Sequence, residues 1–326
     1  MSILSRRAAL ALPALLAASR AGAQQPAWPT RSLTFLVPFA AGGSNDVVAR
    51  MVAPHLERKL GQPIVADNRP GGGGALGMGM VARARPDGYT ILVSSASNHV
   101  FHPLVARDHT ARDAREAFAG ISMLTDVPNV VAVHPSVPAN NIQELIAYIR
   151  AQRNGMSYGS SGVGTSNHLA GELFRMRTEL DLTHVPYRGG GPGLTDLVAG
   201  TIKLGFMNLP TVLPATQDGR VKILAVCTAE RVAIKPEIPT VQEQGVRDFA
   251  GRSWTGFYDP AGTPAPILQL LSEGTREAMA IPAVRQRLAD IGSEPIPSTP
   301  EDTDRFVREE YARWEPVVRA ANISLN

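Results

Sequence analysis

The sequence has little cysteine, few aromatic residues and no cluster of metal ligands. Cys227 is the only cysteine among 326 residues, which excludes an intrachain disulfide. Aromatic residues make up 6% and charged residues 19% of the chain, against 44% hydrophobic residues, a balance typical of a globular protein. His99 and His102 are three residues apart, but no Asp, Glu or Cys group completes a metal site around them. We therefore expect neither a metal ion nor a cofactor.

The first 23 residues have the pattern of a secretory signal peptide. Arg6 and Arg7 precede an apolar run over residues 8–18, and Ala21-Gly22-Ala23 is an A-x-A cleavage site. The apolar run is too short to span a bilayer. We expect cleavage after Ala23, by the general or the twin-arginine export route, and a periplasmic protein. No cysteine stands at the cleavage point, so a lipid anchor is not expected.

The chain carries no surplus of positive charge for a nucleic acid. Its 32 Lys and Arg residues face 29 Asp and Glu residues. The predicted signal peptide holds three of the arginines and no acidic residue, so 29 residues of each sign remain after cleavage. Nucleic-acid binding requires a basic surplus or patch, and the sequence shows neither. We therefore exclude a nucleic-acid partner.

The most informative stretch is residues 33–50, where an apolar strand runs through a glycine loop into a helix. Leu33–Val37 is apolar throughout, and Pro38 ends the strand because proline cannot donate to a ladder. The loop of residues 40–46 contains no bulky side chain. A helix follows with apolar residues at helical spacing, and Gly61 is its predicted end.

The start of this helix predicts an anion receptor. Ser44 or Asn45 is expected to cap the helix, and Asp46 lies in its first turn. Glycines in the loop leave the backbone N–H groups at the positive helix end open to a ligand. The alternative is an ordinary strand-to-helix turn, which requires no ligand.

The same order of strand, small-residue loop and helix recurs along the chain. Further strands are predicted at residues 63–66, 89–93, 120–124, 129–133, 156–158, 181–185, 202–207, 223–226 and 254–258. Helices are predicted at residues 75–84, 142–149 with Asn141 as cap, from 168, at 194–198, 266–280 with a further turn to 288, and 300–320. This alternation favours parallel sheets in two α/β halves. If the halves face each other, two helix N-termini point into one cleft.

Two short motifs suggest enzymes, and neither is complete. Residues 72–77 match G-x-G-x-x-G, but the next strand ends in Ser94 and Ser95, where a dinucleotide site requires an acid. Ser160 and His168 suggest a hydrolase, yet residues 159–163 fail the G-x-S-x-G elbow at its last position. No acidic residue is evident to orient His168, which leaves it as a ligand donor or a residue of the cleft wall.

Several motifs, in order along nearly the whole chain after the leader, resemble one family. They are Val37-Pro38-Phe39 with Ala41-Gly42-Gly43 and Asp46, Asn68-Arg69-Pro70-Gly71, Pro86-Asp87-Gly88-Tyr89-Thr90, Tyr158-Gly159-Ser160-Ser161-Gly162 with His168-Leu169, Val185-Pro186-Tyr187, Asn208-Leu209-Pro210, Ile238-Pro239-Thr240-Val241 and Pro260-Ala261-Gly262-Thr263-Pro264. Together they resemble the Bug-type solute receptors of the tripartite tricarboxylate transporters.

The resemblance implies an α/β protein with the type II fold of periplasmic binding proteins. Such a protein has two α/β domains, a double-crossover hinge and a ligand cleft between the domains. The implied division places residues 27–127 and 229–326 in domain 1 and residues 128–228 in domain 2. The hinge is expected near residues 126–129 and 226–230.

The resemblance also implies a receptor, not an enzyme, that gives a small carboxylate to an integral membrane permease. The ligand class stays open among dicarboxylates, tricarboxylates, amino acids and aromatic acids, and a monomer is expected. The residues expected to bind it are Phe39, Ala41, Gly42, Gly43, Ser44, Asn45, Asp46, Ser95, Asn98, Ser160, Gly164, Thr165, His168, Tyr187, Arg188, Gly189 and Asn208. A sensor that passes the same ligand to a signalling partner, or a periplasmic hydrolase using Ser160 and His168, is the alternative.

Three positions depart from the family pattern. Arg188 follows the tyrosine of the third glycine loop, where the family usually has lysine. Met207 precedes Asn-Leu-Pro, where the family usually has aspartate. Residues 107–116 replace a more regular connector. These departures affect the identity of the ligand and leave the receptor class unchanged.

Overall fold

The computed structural model describes residues 28–39, 41–105 and 113–320. The predicted signal peptide and residues 107–112 of the atypical connector lie outside this part. The strands are β1 (Leu33–Val37), β2 (Ile64–Asn68), β3 (Thr90–Ser95), β4 (Phe118–Val133), β5 (Met156–Ser160), β6 (Leu182–Pro186), β7 (Leu204–Asn208), β8 (Lys222–Val226), β9 (Arg252–Pro260) and β10 (Glu294–Pro295).

Helices cover both faces of the strands. They are α1 (Ser44–Leu60), α2 (Ala75–Ala82), α3 (His102–Val105), α4 (Ala114–Ala117), α5 (Ile142–Arg150), α6 (Ser166–Thr178), α7 (Gly190–Ala199), α8 (Leu209–Gln217), α9 (Ala265–Ala280), α10 (Pro282–Asp290) and α11 (Pro300–Ala320). A 3₁₀ turn, Gly72–Gly74, precedes α2, and a π turn, Ser97–Phe101, precedes α3. No helix in the described part of the chain combines the length and the apolar character that a bilayer crossing requires.

The strands form two sheets that share β4. The first sheet has the order β2-β1-β3-β9-β4, and the second continues from β4 through β7 and β5 to β6, with β8 on the other side of β4. β1, β2 and β3 are parallel, as are β5, β6 and β7. β4, β8 and β9 pair antiparallel with their neighbours, so the sheets are mixed and not parallel throughout.

β4 is one strand of 16 residues where the sequence predicted two. Residues 118–128 pair with β9 in the first sheet, and residues 129–133 pair with β7 and β8 in the second. The strand continues through Pro128 because pairing with β9 ends there, at Arg252, and pairing with β7 begins at the next residue. β4 therefore carries the chain from one sheet into the other.

Each sheet has a buried apolar cluster on both faces, which gives two three-layer α/β/α units. In the first sheet, α1, α9 and α10 cover one face, and α2, the π turn and α11 cover the other. In the second sheet, α5 and α6 cover one face, and α7 and α8 cover the other. Leu169 of α6 belongs to the same buried cluster as Trp254 of β9, so the two units also pack against each other.

Several helix starts differ from their predictions, since α6 begins at Ser166 and not at His168, and two others differ in their cap or by several residues. α1 is capped by Gly43, with no side-chain cap, and not by Ser44 or Asn45, which form its first turn. α7 begins at Gly190, inside the predicted third glycine loop, and not at Leu194. α8 was not predicted. Asn141 does cap α5, since its Oδ1 accepts from the Glu144 N–H (2.8 Å).

Candidate functional site

The first candidate loop presents the N-terminus of α1. Gly42 has φ +79°, a conformation that favours glycine, and turns the chain from β1 into the helix. Gly43 is extended (φ −70°, ψ 164°) and offers no side chain to cap the helix. Ala41, Gly42 and Gly43 are exposed, whereas Asn45 and Asp46 are buried. The first N–H groups of α1 therefore lack a side-chain cap, as an anion site at a helix end requires.

Asp46 holds this loop in place. Its carboxylate accepts from the Gly42 N–H (2.9 Å), from Arg50 Nε (2.9 Å) and from Asn68 Nδ2 (3.0 Å). Burial raises the pKa of Asp46, but the hydrogen bonds from Arg50, Gly42 and Asn68 outweigh it and hold the pKa below its usual value. Asn68 also donates to the carbonyl of Phe39 (3.1 Å), and Phe39 packs against the buried cluster between the first sheet and α1. Asp46 is thus an ionised residue whose oxygens already have protein donors.

The second candidate loop presents the N-terminus of α6. Thr165 is the cap, and its Oγ1 accepts from the His168 N–H (3.3 Å) and donates to the Gly162 carbonyl (2.8 Å). Gly164 and the first residues of α6 are buried. The helix end therefore lies inside the molecule, where its partial positive charge is less screened than at the surface.

A network of side-chain amides joins the start of α6 to the second sheet. Asn167 Nδ2 donates to the Oδ1 atoms of Asn129 (3.1 Å) and Asn208 (2.8 Å). Asn167 Oδ1 accepts from Ser161 Oγ (2.7 Å), and Ser166 Oγ donates to Asn129 Oδ1 (3.4 Å). Asn129 is where β4 enters the second sheet, so the network lies at the crossover.

The first sheet contributes a polar row at the carboxyl end of β3. Ser95 pairs with Thr255 of β9, which pairs on its other side with Thr125 of β4. Thr255 Oγ1 donates to Asn45 Oδ1 (3.3 Å), which ties the row to α1. Ser95 donates to Asn98 Oδ1 through both its N–H (2.9 Å) and its Oγ (2.8 Å). The start of α1 therefore lies next to the carboxyl end of β3, with Thr255 between them.

One hydrogen bond connects the two polar groups across the units. The Ser166 N–H donates to Ser97 Oγ (3.3 Å). Ser97 adjoins Asn98 of the polar row at the end of β3, and Ser166 bonds to Asn129 of the amide network at the start of α6. The structure thus brings the start of α1, the end of β3 and the start of α6 together around the junction of the sheets.

Three amide nitrogens in this junction have no hydrogen-bond partner in the described residues. They are the Nδ2 atoms of Asn45, Asn98 and Asn129, and all three residues are at least nine-tenths buried. Thr125 Oγ1 is also buried without a partner. Buried polar groups in proteins are almost always hydrogen-bonded, so a cluster of unpartnered donors indicates a place for an acceptor.

Two stacked imidazoles lie beside the second loop. His168 and His184 have ring centroids 3.9 Å apart and nearly parallel planes, and Tyr158 also stacks on His184. His168 Nδ1 accepts from the Gly164 N–H (3.1 Å), so the neutral ring carries its proton on Nε2. Burial lowers the pKa of both rings, to about 3 for His184, where the neighbouring His168 adds to the effect. Both rings are therefore neutral at pH 7.

Ser160 pairs with His184 and not with His168. Ser160 Oγ and His184 Nε2 are 2.6 Å apart. No carboxylate in the described residues hydrogen-bonds to either imidazole, and a neutral ring with a pKa near 3 is a weak base. The pair lacks the third member that orients the base in a hydrolase triad.

The third loop lies against the second through its backbone. The N–H groups of Tyr187 and Gly189 donate to the carbonyls of Ser160 and Ser161 (both 3.1 Å). The Tyr187 hydroxyl donates to Asp196 Oδ2 (2.7 Å), so the side chain bonds within the second unit. Arg188 is exposed and forms no ion pair in the described part of the chain.

The structure adds residues that the sequence did not single out as site residues. They are Asn129, Thr255 and His184, which bond to Asn167, Asn45 and Ser160. Asn129 and Thr255 lie within strands away from the family motifs, and His184 directly precedes the Val185-Pro186-Tyr187 motif. Among the described residues, no group of three His, Cys, Asp or Glu side chains is placed to hold a metal ion.

Comparison with known proteins places this geometry in a family. The model for the tripartite tricarboxylate transporter family receptor matches residues 48–323. The chain is 34% identical to protein BugT of Bordetella pertussis over 298 residues, which cover 91% of each chain.

Solved structures give the same result. An R. palustris protein solved with adipate is 36% identical, with a TM-score of 0.86, and the match covers 91% of this chain and 99% of that one. MatC from Rhodopseudomonas palustris, with bound malate, is 32% identical, with a TM-score of 0.82 over 89% of this chain and all of that one. The chain therefore belongs to the receptor family of the tripartite tricarboxylate transporters, as its Bug-type motifs predicted.

Proposed function

We propose that this protein is a receptor that binds a small carboxylate at the junction of its two sheets and delivers it to a membrane permease. The observation that carries the proposal is the group of buried amide nitrogens of Asn45, Asn98 and Asn129 without partners, placed beside the starts of α1 and α6. Donors in this arrangement suit an anion with several acceptor oxygens. Two relatives solved with the dicarboxylates adipate and malate support this ligand class.

In this proposal the ligand carboxylate accepts hydrogen bonds mainly from neutral groups. The backbone N–H groups following Gly43 supply part of the set. In α6 the Asn167 N–H contributes, since those of Ser166 and His168 already donate to Ser97 and Thr165. The three amides supply the rest. Charge-assisted hydrogen bonds of this kind contribute about 1.5–3 kcal/mol each. Asp46 fixes the first loop through its bonds to Gly42 and Arg50 and does not meet the carboxylate.

The proposed mechanism includes domain closure. Residues 27–127 with 229–326 form one domain and residues 128–228 the other, joined by β4 and by the return of the chain between β8 and β9. The bond between Ser166 and Ser97 and the packing of Leu169 near Trp254 join the domains in this structure. A ligand held from both sides would favour such a closed state.

The proposed location and partners follow from the family and from the leader. The protein is exported, cleaved after Ala23, and acts as a monomer in the periplasm beside integral permease subunits. The family's transport role supports the permease. Pull-down of detergent-solubilised permease subunits by tagged receptor tests this part, and loss of the interaction without ligand is the expected result.

Calorimetric titration tests the ligand class. Purified, refolded protein is titrated with C4 to C6 dicarboxylates, citrate and benzoate, and native mass spectrometry of protein purified without refolding weighs any retained ligand. We expect at least one carboxylate to bind with a dissociation constant in the micromolar range or below, about −8 kcal/mol. Absence of binding across the panel, together with a retained ligand that is not an acid, would overturn the proposal.

The receptor is proposed to release its ligand unchanged. Because no carboxylate orients His184 or His168, Ser160 lacks an activated base. Incubation of the identified ligand with the protein, followed by mass analysis, should recover the intact compound. A product that disappears with Ser160→Ala would show a hydrolase instead.

A further inference from the structure

We propose that the site selects carboxylates that carry no ammonium group, and so discriminates against α-amino acids. This inference rests on the proposed carboxylate site and narrows its ligand. It follows from the direction in which the buried amides are oriented, because their oxygens are bonded inside the protein and the nitrogens of Asn45, Asn98 and Asn129 are not.

The amide oxygens of the site already accept hydrogen bonds. Asn98 Oδ1 accepts from the Ser95 N–H and Oγ, and the backbone N–H fixes the orientation of that amide because it can only donate. Asn45 Oδ1 accepts from Thr255 Oγ1. Asn129 Oδ1 accepts from Asn167 Nδ2 and Ser166 Oγ. Asn167 Oδ1 accepts from Ser161 Oγ, and Asn208 Oδ1 accepts from Asn167 Nδ2.

The buried carboxylate that follows Asn45 in the sequence, Asp46, is committed as well. Asp46 accepts from Gly42 N–H, from Asn68 Nδ2 and from Arg50, whose Nε lies within 3.0 Å of both carboxylate oxygens. The charge of Asp46 is thereby balanced by Arg50. A ligand ammonium would have to break this set of bonds to gain an anionic partner.

The unpartnered side-chain amide atoms are donors. Asn45, Asn98 and Asn129 each leave Nδ2 without a partner, and His168 carries its ring proton on Nε2 because its Nδ1 accepts from Gly164. A carboxylate, hydroxyl or keto oxygen satisfies such donors. An ammonium group brings three further donors and a positive charge that no buried anion would balance.

Matched ligand pairs measure the discrimination directly. Each pair differs only by an amino group on the carbon next to a carboxylate: succinate and aspartate, glutarate and glutamate, adipate and 2-aminoadipate. We expect the unaminated member of any pair that binds to bind at least about tenfold more tightly, because the amino group is desolvated without an acceptor. Equal or tighter binding of the aminated member would overturn the inference and leave the carboxylate site standing. Failure of all six acids to bind would count against both the selectivity and the proposed carboxylate site.

A variant that adds a negative charge tests the donor group itself. In Asn98→Asp the oxygen that accepts from Ser95 is kept and the unpartnered nitrogen becomes an anionic oxygen. We expect the unaminated acid to bind at least about tenfold more weakly and the ratio between the pair members to move toward the amino acid. Asn45→Asp is the second variant, in case circular dichroism shows that the first does not fold.

Asn154→Asp is the matched control. Asn154 lies in an exposed turn, so the variant adds the same charge outside the site. It should leave the ratio of dissociation constants within each ligand pair unchanged. If both site variants fold and also leave that ratio unchanged, the donor group does not set the selectivity and the inference is wrong.

Discussion

At the scale of single residues, Gly43 and Arg188 separate a backbone mechanism from a salt-bridge mechanism. Gly43 has φ −70° and ψ 164°, which any residue adopts, so valine there should not strain the loop. Its branched side chain would stand over the first N–H groups of α1. Arg188 is exposed and unpaired in the described residues. We expect Gly43→Val to weaken ligand binding more than Arg188→Ala does, as measured by calorimetric titration.

The comparison is valid only for folded variants, which circular dichroism establishes first. The lost backbone bonds would contribute about 1.5–3 kcal/mol each, whereas an exposed ion pair contributes about 1 kcal/mol or less. If Arg188→Ala abolished binding and folded Gly43→Val bound normally, the site would be a salt-bridge site. The use of helix ends as the main anion receptor would then be wrong.

Asp259 predicts a pH dependence of stability. This carboxyl group on β9 is fully buried, and neither oxygen has a hydrogen-bond partner in the described residues. Burial raises the pKa of Asp259 to about 8 in the folded protein, whereas the unfolded chain should lose this proton near about 4. Between these values the folded state holds the extra proton. The stability that this bound proton contributes is therefore present at low pH and is lost as the pH rises toward 8.

Asp259→Asn removes this dependence because the amide stays neutral. The free energy of unfolding of the variant minus that of the parent should therefore rise by about 1.4 kcal/mol per pH unit between pH 5 and 7. Urea titrations at several pH values measure it. Asp218→Asn, which removes an exposed carboxylate paired with Arg220, is the control and should follow the parent. Parallel curves for Asp259→Asn and the parent would show that Asp259 is ionised in the folded protein.

At the scale of single elements, the cap of α6 links stability to binding. Thr165 Oγ1 bonds to both the His168 N–H and the Gly162 carbonyl, so it fixes the loop as well as the helix. Thr165→Ala should lower the free energy of unfolding by about 1 kcal/mol and also weaken ligand binding. Urea unfolding measures the free energy of unfolding, and calorimetric titration measures ligand affinity.

The conservative variant Thr165→Ser keeps the hydroxyl and should restore most of both losses. Thr195→Ala is a matched control, since Thr195 is exposed in α7 and donates only to the Gly191 carbonyl within that helix. A Thr165→Ala protein as stable as the parent would show that the cap does not hold α6. Loss of binding in Thr165→Ser as well would mean that the methyl group, and not the hydroxyl, matters.

Elements were predictable where local signals coincide. β1 and α11 have the predicted bounds, since an apolar run before Pro38 and a proline at the first helical position mark them. β4 was predicted as two strands because its residues serve two sheets, which no local pattern records. α8 gave no signal because Pro210 and Pro214, both within its nine residues, are typical of a break.

The candidate site was predictable in its loops and not in its network. Glycines and small residues identify the starts of α1 and α6 from the sequence alone. Asn129 and Thr255 lie within mostly apolar strands, and their partners are distant in the chain: 38 residues separate Asn129 from Asn167, and 210 separate Thr255 from Asn45. Only the fold brings these pairs together. Which residues touch the ligand stays a prediction until the titrations are done.

At the scale of the whole molecule, the proposed hinge predicts a change of shape. β4 and the segments around β8 and β9 connect the two units, so rotation about these crossovers would open the junction where Ser97 meets Ser166. The ligand-free protein should therefore populate a more open form than the structure described above. Small-angle X-ray scattering should give a smaller radius of gyration at saturating ligand than without it.

A cross-linked variant supplies the closed reference. Ser97→Cys with Ser166→Cys places two thiols at the contact between the units, and Cys227, the only native cysteine, is fully buried with a raised thiol pKa, so it does not compete. Joined by a short reagent with two thiol-reactive groups, this protein should have the small radius with or without ligand, and the same variant without the reagent should respond as the parent does. A ligand-free parent with the radius of the cross-linked form would mean that the receptor is already closed, and that ligand reaches its site without domain opening.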